Sequence, residues 1–294
     1  MTPALPRSLV DPDGQPPMPF QAADDYAQTV VGWAQEPLPD SIMVTRDVAY
    51  GPHRLHRYNV FAPRGVRDAP VLVFWHGGGW TNGYREYQTF MAGHITRLGM
   101  VMVAPSYRLT PEVALPSVHE DSMALLAHLQ QHLPESGGAP DRLYLAGHSA
   151  GAHLATFAAL RSDDRARAGL APDMVRGCLP ISGIMDLHDP APVPGSLEER
   201  VYTTVLRGLD PVQDTVMSPL FWTAGNRVPF AITYGEKDSA RVIKGNRRLF
   251  AMLKEQKGPV TCVMEPGRDH FQTHTALRDA SDSWYRRLAY LIKA

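Results

Sequence analysis

The sequence predicts an α/β domain built on a mostly parallel, doubly wound sheet flanked by helices. Three observations lead there. Pro70–Trp75 and Met100–Ala104 are short continuous apolar runs, the mark of strands buried on both faces. Helical stripes such as Val118, Leu125, Leu126 and Leu129 lie between such runs. Repeated strand-helix alternation favours right-handed crossovers, which set helices on both faces of the sheet. The chain has 294 residues, 44% of them hydrophobic, enough for one large core. No repeat or low-complexity linker divides it, so residues 1–294 are read as a single domain.

The elements follow in order. Residues 1–20 read as irregular, because Pro3, Pro6, Pro12, Pro16, Pro17 and Pro19 prevent regular hydrogen bonding. Ala22–Gln35 reads as a helix with Tyr26, Val30 and Trp33 toward one side. Ser41–Ala49 and Leu55–Phe61 suit an antiparallel pair turning at Gly51-Pro52. Later strands are expected at Leu143–Ala146, Arg176–Ile181, Phe230–Tyr234 and Val260–Met264. Helices are expected from Ala152 to Leu160 and over Val242–Lys254 and Ser283–Ile292. Two stretches break the alternation: the N-terminal 1–40 and the segment 188–222, where Pro190, Pro192, Pro194 and Pro211 allow only short helices. Both are candidates for a small cap over the strand ends, where α/β proteins bind ligands.

Composition excludes several functions. Net charge is −1 and the pI is near 6.9, with no basic cluster to attract nucleic acid or an anionic membrane. The N-terminus has no positive leader or apolar core, and no run reaches about eighteen apolar residues. A soluble, cytoplasmic protein with a small-molecule substrate is the expectation, a homodimer being left open. Cys178 and Cys262 sit in apolar runs and read as free thiols. His119-Glu120 lacks a second histidine at zinc-site spacing, and His148 and His153 are five apart, poorly placed for one helix face. There is no G-x-G-x-x-G or Walker loop, so no metal or cofactor is implied.

Gly147-His148-Ser149-Ala150-Gly151 carries the chemistry. It joins a strand-like run to a helix-like one, and a G-x-S-x-G there lifts the serine hydroxyl clear of the sheet. The outer glycines leave room for the neighbouring strand and helix. A serine alcohol is a weak nucleophile until a base takes its proton. His270 fits that task, since it follows the Cys262–Glu265 run and a Pro266-Gly267 turn. Three acids are near enough in sequence to orient it: Glu236, Asp238 and Asp269. Asp269 is adjacent to His270, and a neighbour cannot easily turn its carboxylate back onto the ring. His76-Gly77-Gly78-Gly79-Trp80 follows a buried strand, and its bare backbone suits oxyanion stabilisation. Gly78, Gly79 and Ala150 are the expected N–H donors, with His76 a brace for the loop. Trp80, Phe221 and Trp222 are the candidate pocket walls for a planar group.

These motifs resemble the α/β-hydrolases of the hormone-sensitive-lipase and kynurenine-formamidase (arylformamidase) type, over roughly residues 40–294. The resemblance rests on His76–Trp80, Ser106-Tyr107-Arg108-Leu109 leading to Pro116, Gly147–Gly151, Ser218-Pro219-Leu220, Gly235–Asp238 and His270-Phe271. It implies an α/β-hydrolase fold and, through the G-x-x-D pattern at Gly235, Asp238 as the acid of a Ser149–Asp238–His270 triad. Trp80, the Ser-Pro-Leu element and His270-Phe271 are more similar to the formamidase branch. The implied activity is hydrolysis of a small-acyl carboxylic ester or an N-formyl aryl amide through an acyl-enzyme. The alternative is a non-catalytic small-molecule binding protein on the same fold. A product burst from an activated aryl ester separates the two.

Overall fold

The computed structural model describes Gln15, Met18 and residues 20–293. The proline-rich stretch expected over residues 1–20 lies mostly outside them. Among the described residues, eight strands form one sheet: β1 (Ile42–Ala49), β2 (Arg57–Pro63), β3 (Ala69–Trp75), β4 (Val101–Pro105), β5 (Gly138–His148), β6 (Val175–Ile181), β7 (Phe230–Lys237) and β8 (Val260–Asp269). Their order is β1-β2-β4-β3-β5-β6-β7-β8. The first two pairings, β1 with β2 and β2 with β4, are antiparallel, and the rest are parallel. The anticipated doubly wound sheet is therefore present, with its antiparallel pair at one edge.

Among the described residues, five helices reach eleven residues or more: α1 (Gln21–Ala34), α2 (Leu115–His132), α3 (Ala150–Leu160), α4 (Ala240–Lys254) and α5 (Ser283–Lys293). Strand alternation divides the core between two layers. Val71, Val73 and Trp75 of β3 join a cluster with Leu125 of α2, Leu154 of α3 and Leu249 of α4. Leu72 and Phe74 point the other way, to Tyr26 and Val30 of α1 and Trp284 and Leu288 of α5. All five of these β3 side chains are at most 1% exposed, as expected for a strand covered on both faces.

Winding reverses beside β3, because β4 lies on one side of it and β5 on the other. The carboxyl ends of β3 and β5 thus flank a topological switch point, where an open α/β sheet leaves a crevice. His76–Trp80 leaves β3 there and Ser149 leaves β5 there. Segment 188–222 holds only short turns of helix, Leu197–Arg200, Val201–Val205, Gln213–Val216 and Pro219–Trp222. Asp214 ties it together, accepting from Tyr202 Oη at 2.6 Å and pairing with His188 Nδ1 at 2.8 Å. No helix among the described residues is long and apolar enough to cross a membrane. Cys178 and Cys262 are free thiols, and burial pushes the Cys262 thiol up to about 11.

Candidate active site

The turn between β5 and α3 places Ser149 at φ 55° and ψ −118°. Such a conformation costs a non-glycine residue about 1–3 kcal/mol and persists only where the surroundings enforce it. Here Ser149 N–H donates to Ile181 O at 2.9 Å, and Ser149 O accepts from His153 N–H at 3.1 Å. The flanking glycines are sterically required. A Cβ on Gly147 would stand 2.4 Å from the Gly151 backbone, and one on Gly151 would stand 2.1 Å from Trp75 O.

Ser149, His270 and Asp238 are brought together. His270 Nε2 lies 2.9 Å from Ser149 Oγ, and His270 Nδ1 lies 2.6 Å from Asp238 Oδ1. The Asp238 side chain is fully buried. Its other oxygen, Oδ2, accepts from Gly235 N–H and Ser182 Oγ, each at 2.7 Å. Burial alone would raise this carboxyl, but the bonds from His270, Ser182 and Gly235 outweigh it and hold Asp238 below its ordinary value. An ionised Asp238 fixes a proton on His270 Nδ1 and leaves Nε2 to accept from the serine hydroxyl. The other two acids serve elsewhere. Glu236 Oε2 accepts from Gly267 N–H at 2.7 Å, and Asp269 Oδ1 accepts from Phe271 and Gln272 N–H at 3.0 and 2.8 Å.

Two buried histidines brace this arrangement. The His76 ring stacks on Tyr107 at 4.2 Å, and Tyr107 Oη donates to His76 O at 3.0 Å. Burial lowers His76 to about 4, so it stays neutral at neutral pH. His148 Nε2 reaches His270 O at 2.8 Å, where Thr273 Oγ1 also donates at 2.7 Å. Burial, helped by His270 and His274, holds His148 well below the usual histidine range. A neutral His148 that donates through Nε2–H is therefore a second grip on the His270 backbone. Neither His148 nor Ser182 is marked as a brace by the sequence. His148 occupies the variable position of its motif, and Ser182 meets Asp238 across 56 residues.

A cavity of about 250 Å³ opens beside Ser149. Its floor is Gly78, Gly79, Ser149 and His270 at the strand ends. Gly78 has φ 120°, and a Cβ there would stand 2.1 Å from Asn82 O, so only bare backbone fits. The roof comes from outside the sheet: Phe20 and Tyr26 at the N-terminal side, and Leu197, Val201 and Val205 from the insertion. Trp80 also lines the cavity, its ring edge-on to His153 at 5.1 Å. Phe221 and Trp222, expected as pocket walls, do not line it. Ser218 is anchored by bonds to Leu187 N–H and Asp214 O, and the tight turn after it drives Leu220 into the core. That leaves Phe221 45% exposed and turns Trp222 onto the Arg161 guanidinium, 3.6 Å from its ring.

A family model described as the alpha/beta hydrolase fold matches residues 72–274, more than half of the chain. The chain belongs to that family. Sequence relatives of this α/β-hydrolase include a probable carboxylic ester hydrolase, LipM, of Mycobacterium tuberculosis. The two are 31% identical over 211 residues, 69% of this chain and 49% of the relative. A kynurenine formamidase of Salmo salar is 28% identical over 236 residues, 79% of this chain and 76% of the relative. The α/β-hydrolase spans about half the length of the curated mycobacterial relatives it matches. An esterase from Pyrobaculum calidifontis superposes with a TM-score of 0.74 over 92% of each chain at 21% identity, a likeness of fold.

Proposed function

We propose that this α/β-hydrolase is a serine hydrolase that cleaves small-acyl carboxylic esters or N-formyl aryl amides through an acyl-enzyme. One observation carries the reading: His270 stands within hydrogen-bond reach of both Ser149 and Asp238, at 2.9 and 2.6 Å. In this reading Ser149 Oγ attacks the carbonyl carbon and its proton passes to His270 Nε2. Asp238 stabilises the imidazolium that forms. The carbonyl oxygen gains negative charge and accepts from the backbone N–H groups of Gly78, Gly79 and Ala150. His270 returns the proton to the leaving oxygen or nitrogen, and water then releases the acid by the same steps in reverse order. Trp80 offers a flat wall for an aromatic leaving group. The formamide option draws on the relatives named kynurenine formamidase.

The test is a fluorophosphonate probe with a substrate panel. The probe labels Ser149 alone, and Ser149→Ala loses the label while turnover falls by about three to six orders of magnitude. Undiminished turnover in that variant overturns the proposal. Esters of two to sixteen acyl carbons are compared with N-formyl aryl amines. Preference for the longest chains overturns the small-acyl reading, and no formamide cleavage leaves an ester hydrolase.

A further inference from the structure

The roof of the cavity carries charge that the reaction does not use. Arg200 ends the short helix Leu197–Arg200 and lines the same cavity as Ser149 and His270. Its guanidinium has no hydrogen-bond or ion-pair partner among the described residues. The acids beside it on its own helix are engaged elsewhere. Glu199 accepts from Gly195 N–H at 2.6 Å, and Glu198 faces Arg241 at 3.6 Å. Arg241 also lines the cavity but is held by the carbonyls of Asp186 and Leu187, both at 3.1 Å. Asp238 is committed to His270 and Ser182. The roof therefore presents two guanidinium groups and one carboxylate, a net positive charge among the apolar side chains of Ile184, Val201 and Val205.

A cation in such a place gains more from a counter-ion than one in bulk water. The attraction is about four times stronger at an effective dielectric constant near 20 than at 80. We propose that Arg200 recognises the substrate: the cavity takes an ester or amide whose acyl or leaving group carries a carboxylate, and Arg200 pairs with it. The proposal rests on the hydrolase reading above. A planar carboxylate matches the two-pronged guanidinium. A phosphate dianion does not suit the site, because Glu198 would repel the second charge that only one free guanidinium is there to meet.

Two matched pairs of esters test this. On the acyl side, 4-nitrophenyl pentanoate is compared with mono-4-nitrophenyl glutarate. On the leaving-group side, phenyl butanoate is compared with 3-carboxyphenyl butanoate. In at least one pair, Arg200→Gln lowers the anionic-to-neutral ratio of kcat/KM about tenfold, in line with loss of one charged hydrogen bond at a partly exposed site. Arg200→Lys retains part of the ratio, since it keeps the charge and loses the fork. Ratios that stay within about twofold of the parent in both pairs overturn the proposal. Failure of the hydrolase reading is read separately, as no cleavage of any of the four esters. In that case calorimetry of Ser149→Ala with each anionic ester, mono-4-nitrophenyl glutarate and 3-carboxyphenyl butanoate, still decides. A Kd weakened about tenfold by Arg200→Gln for at least one of them supports recognition, and an equal Kd or no binding for both overturns it.

Discussion

On the floor of the cavity Gly78, Ser149 and His270 sit where backbone geometry puts them, whereas the roof is assembled from Phe20, Val201 and Val205, side chains of segments outside the sheet. The floor has almost no freedom. A single added Cβ at Gly78 or Gly151 would come within 2.1 Å of a backbone oxygen. The roof is held by side-chain bonds such as those converging on Asp214. Its apolar members could change size without moving a strand. In the proposed reading the two halves do different work: the floor sets whether a bond is broken, and the roof sets which molecule is admitted.

The largest effect that can break this division lies at the acid. Asp238→Asn removes the charge that holds the proton on His270 Nδ1, so Nδ1 must accept from the amide and Nε2 then carries the proton. Turnover should fall by about three to four orders of magnitude with the fold retained. Glu236→Gln should cost far less, because Glu236 bonds to Gly267 N–H and not to His270. Steady-state kinetics on the two variants checks this, and a worse Glu236→Gln would move the acid.

His148 tests how far the floor extends behind the reacting atoms. His148→Ala leaves the His270 carbonyl with Thr273 as its one side-chain donor among the described residues. A loosened His270 should lower kcat about ten- to a hundredfold; because the His148 ring also edges the cavity, KM should shift as well, but by less. Fluorophosphonate labelling should slow in parallel. A change in KM alone would mean that His148 acts only as cavity lining and does not position His270.

How much of this was legible follows the same division. The strand runs stand out in sequence because burial on both faces removes polar residues, and β3, β4 and β6 lie within one or two residues of their expected bounds. Ser149, His270 and the glycines of the β3 loop carry local signatures, because strained turns and close backbone approach restrict residue type. Side chains that meet over long sequence distances have no such signature. Arg85–Met91 is largely polar yet wholly buried, its Gln88 donating to Phe74 O and its Arg85 to Asn59. Nothing local announces that. Phe221 and Trp222 lie away from the cavity for a related reason. An aromatic run shows that apolar surface must be covered, but not whether a pocket, the core or an arginine will cover it. The roof is accordingly the part that sequence describes least, and Arg200 stands out only once its neighbours are seen to be occupied.

The smallest effect is the sharpest test of the comparison. Val205 is 3% exposed and lines the roof, so Val205→Ala adds room for acyl carbons without touching Ser149 or its partners. The ratio of hexanoyl to acetyl ester kcat/KM should rise about three- to tenfold, below the limit for one methylene in a closed hydrophobic pocket because this cavity is partly open. A matched change in the floor should behave otherwise. Gly79 has φ 60°, and a Cβ there meets nothing closer than Thr81 Oγ1 at 3.9 Å. Gly79→Ala therefore strains the backbone beside Ser149 without filling the acyl site. All esters should slow together, with the hexanoyl-to-acetyl ratio near that of the parent. If Val205→Ala slows every ester alike, or Gly79→Ala reorders the chain-length series, then floor and roof are not separable. Specificity would then have to be sought in the geometry of the reacting groups themselves.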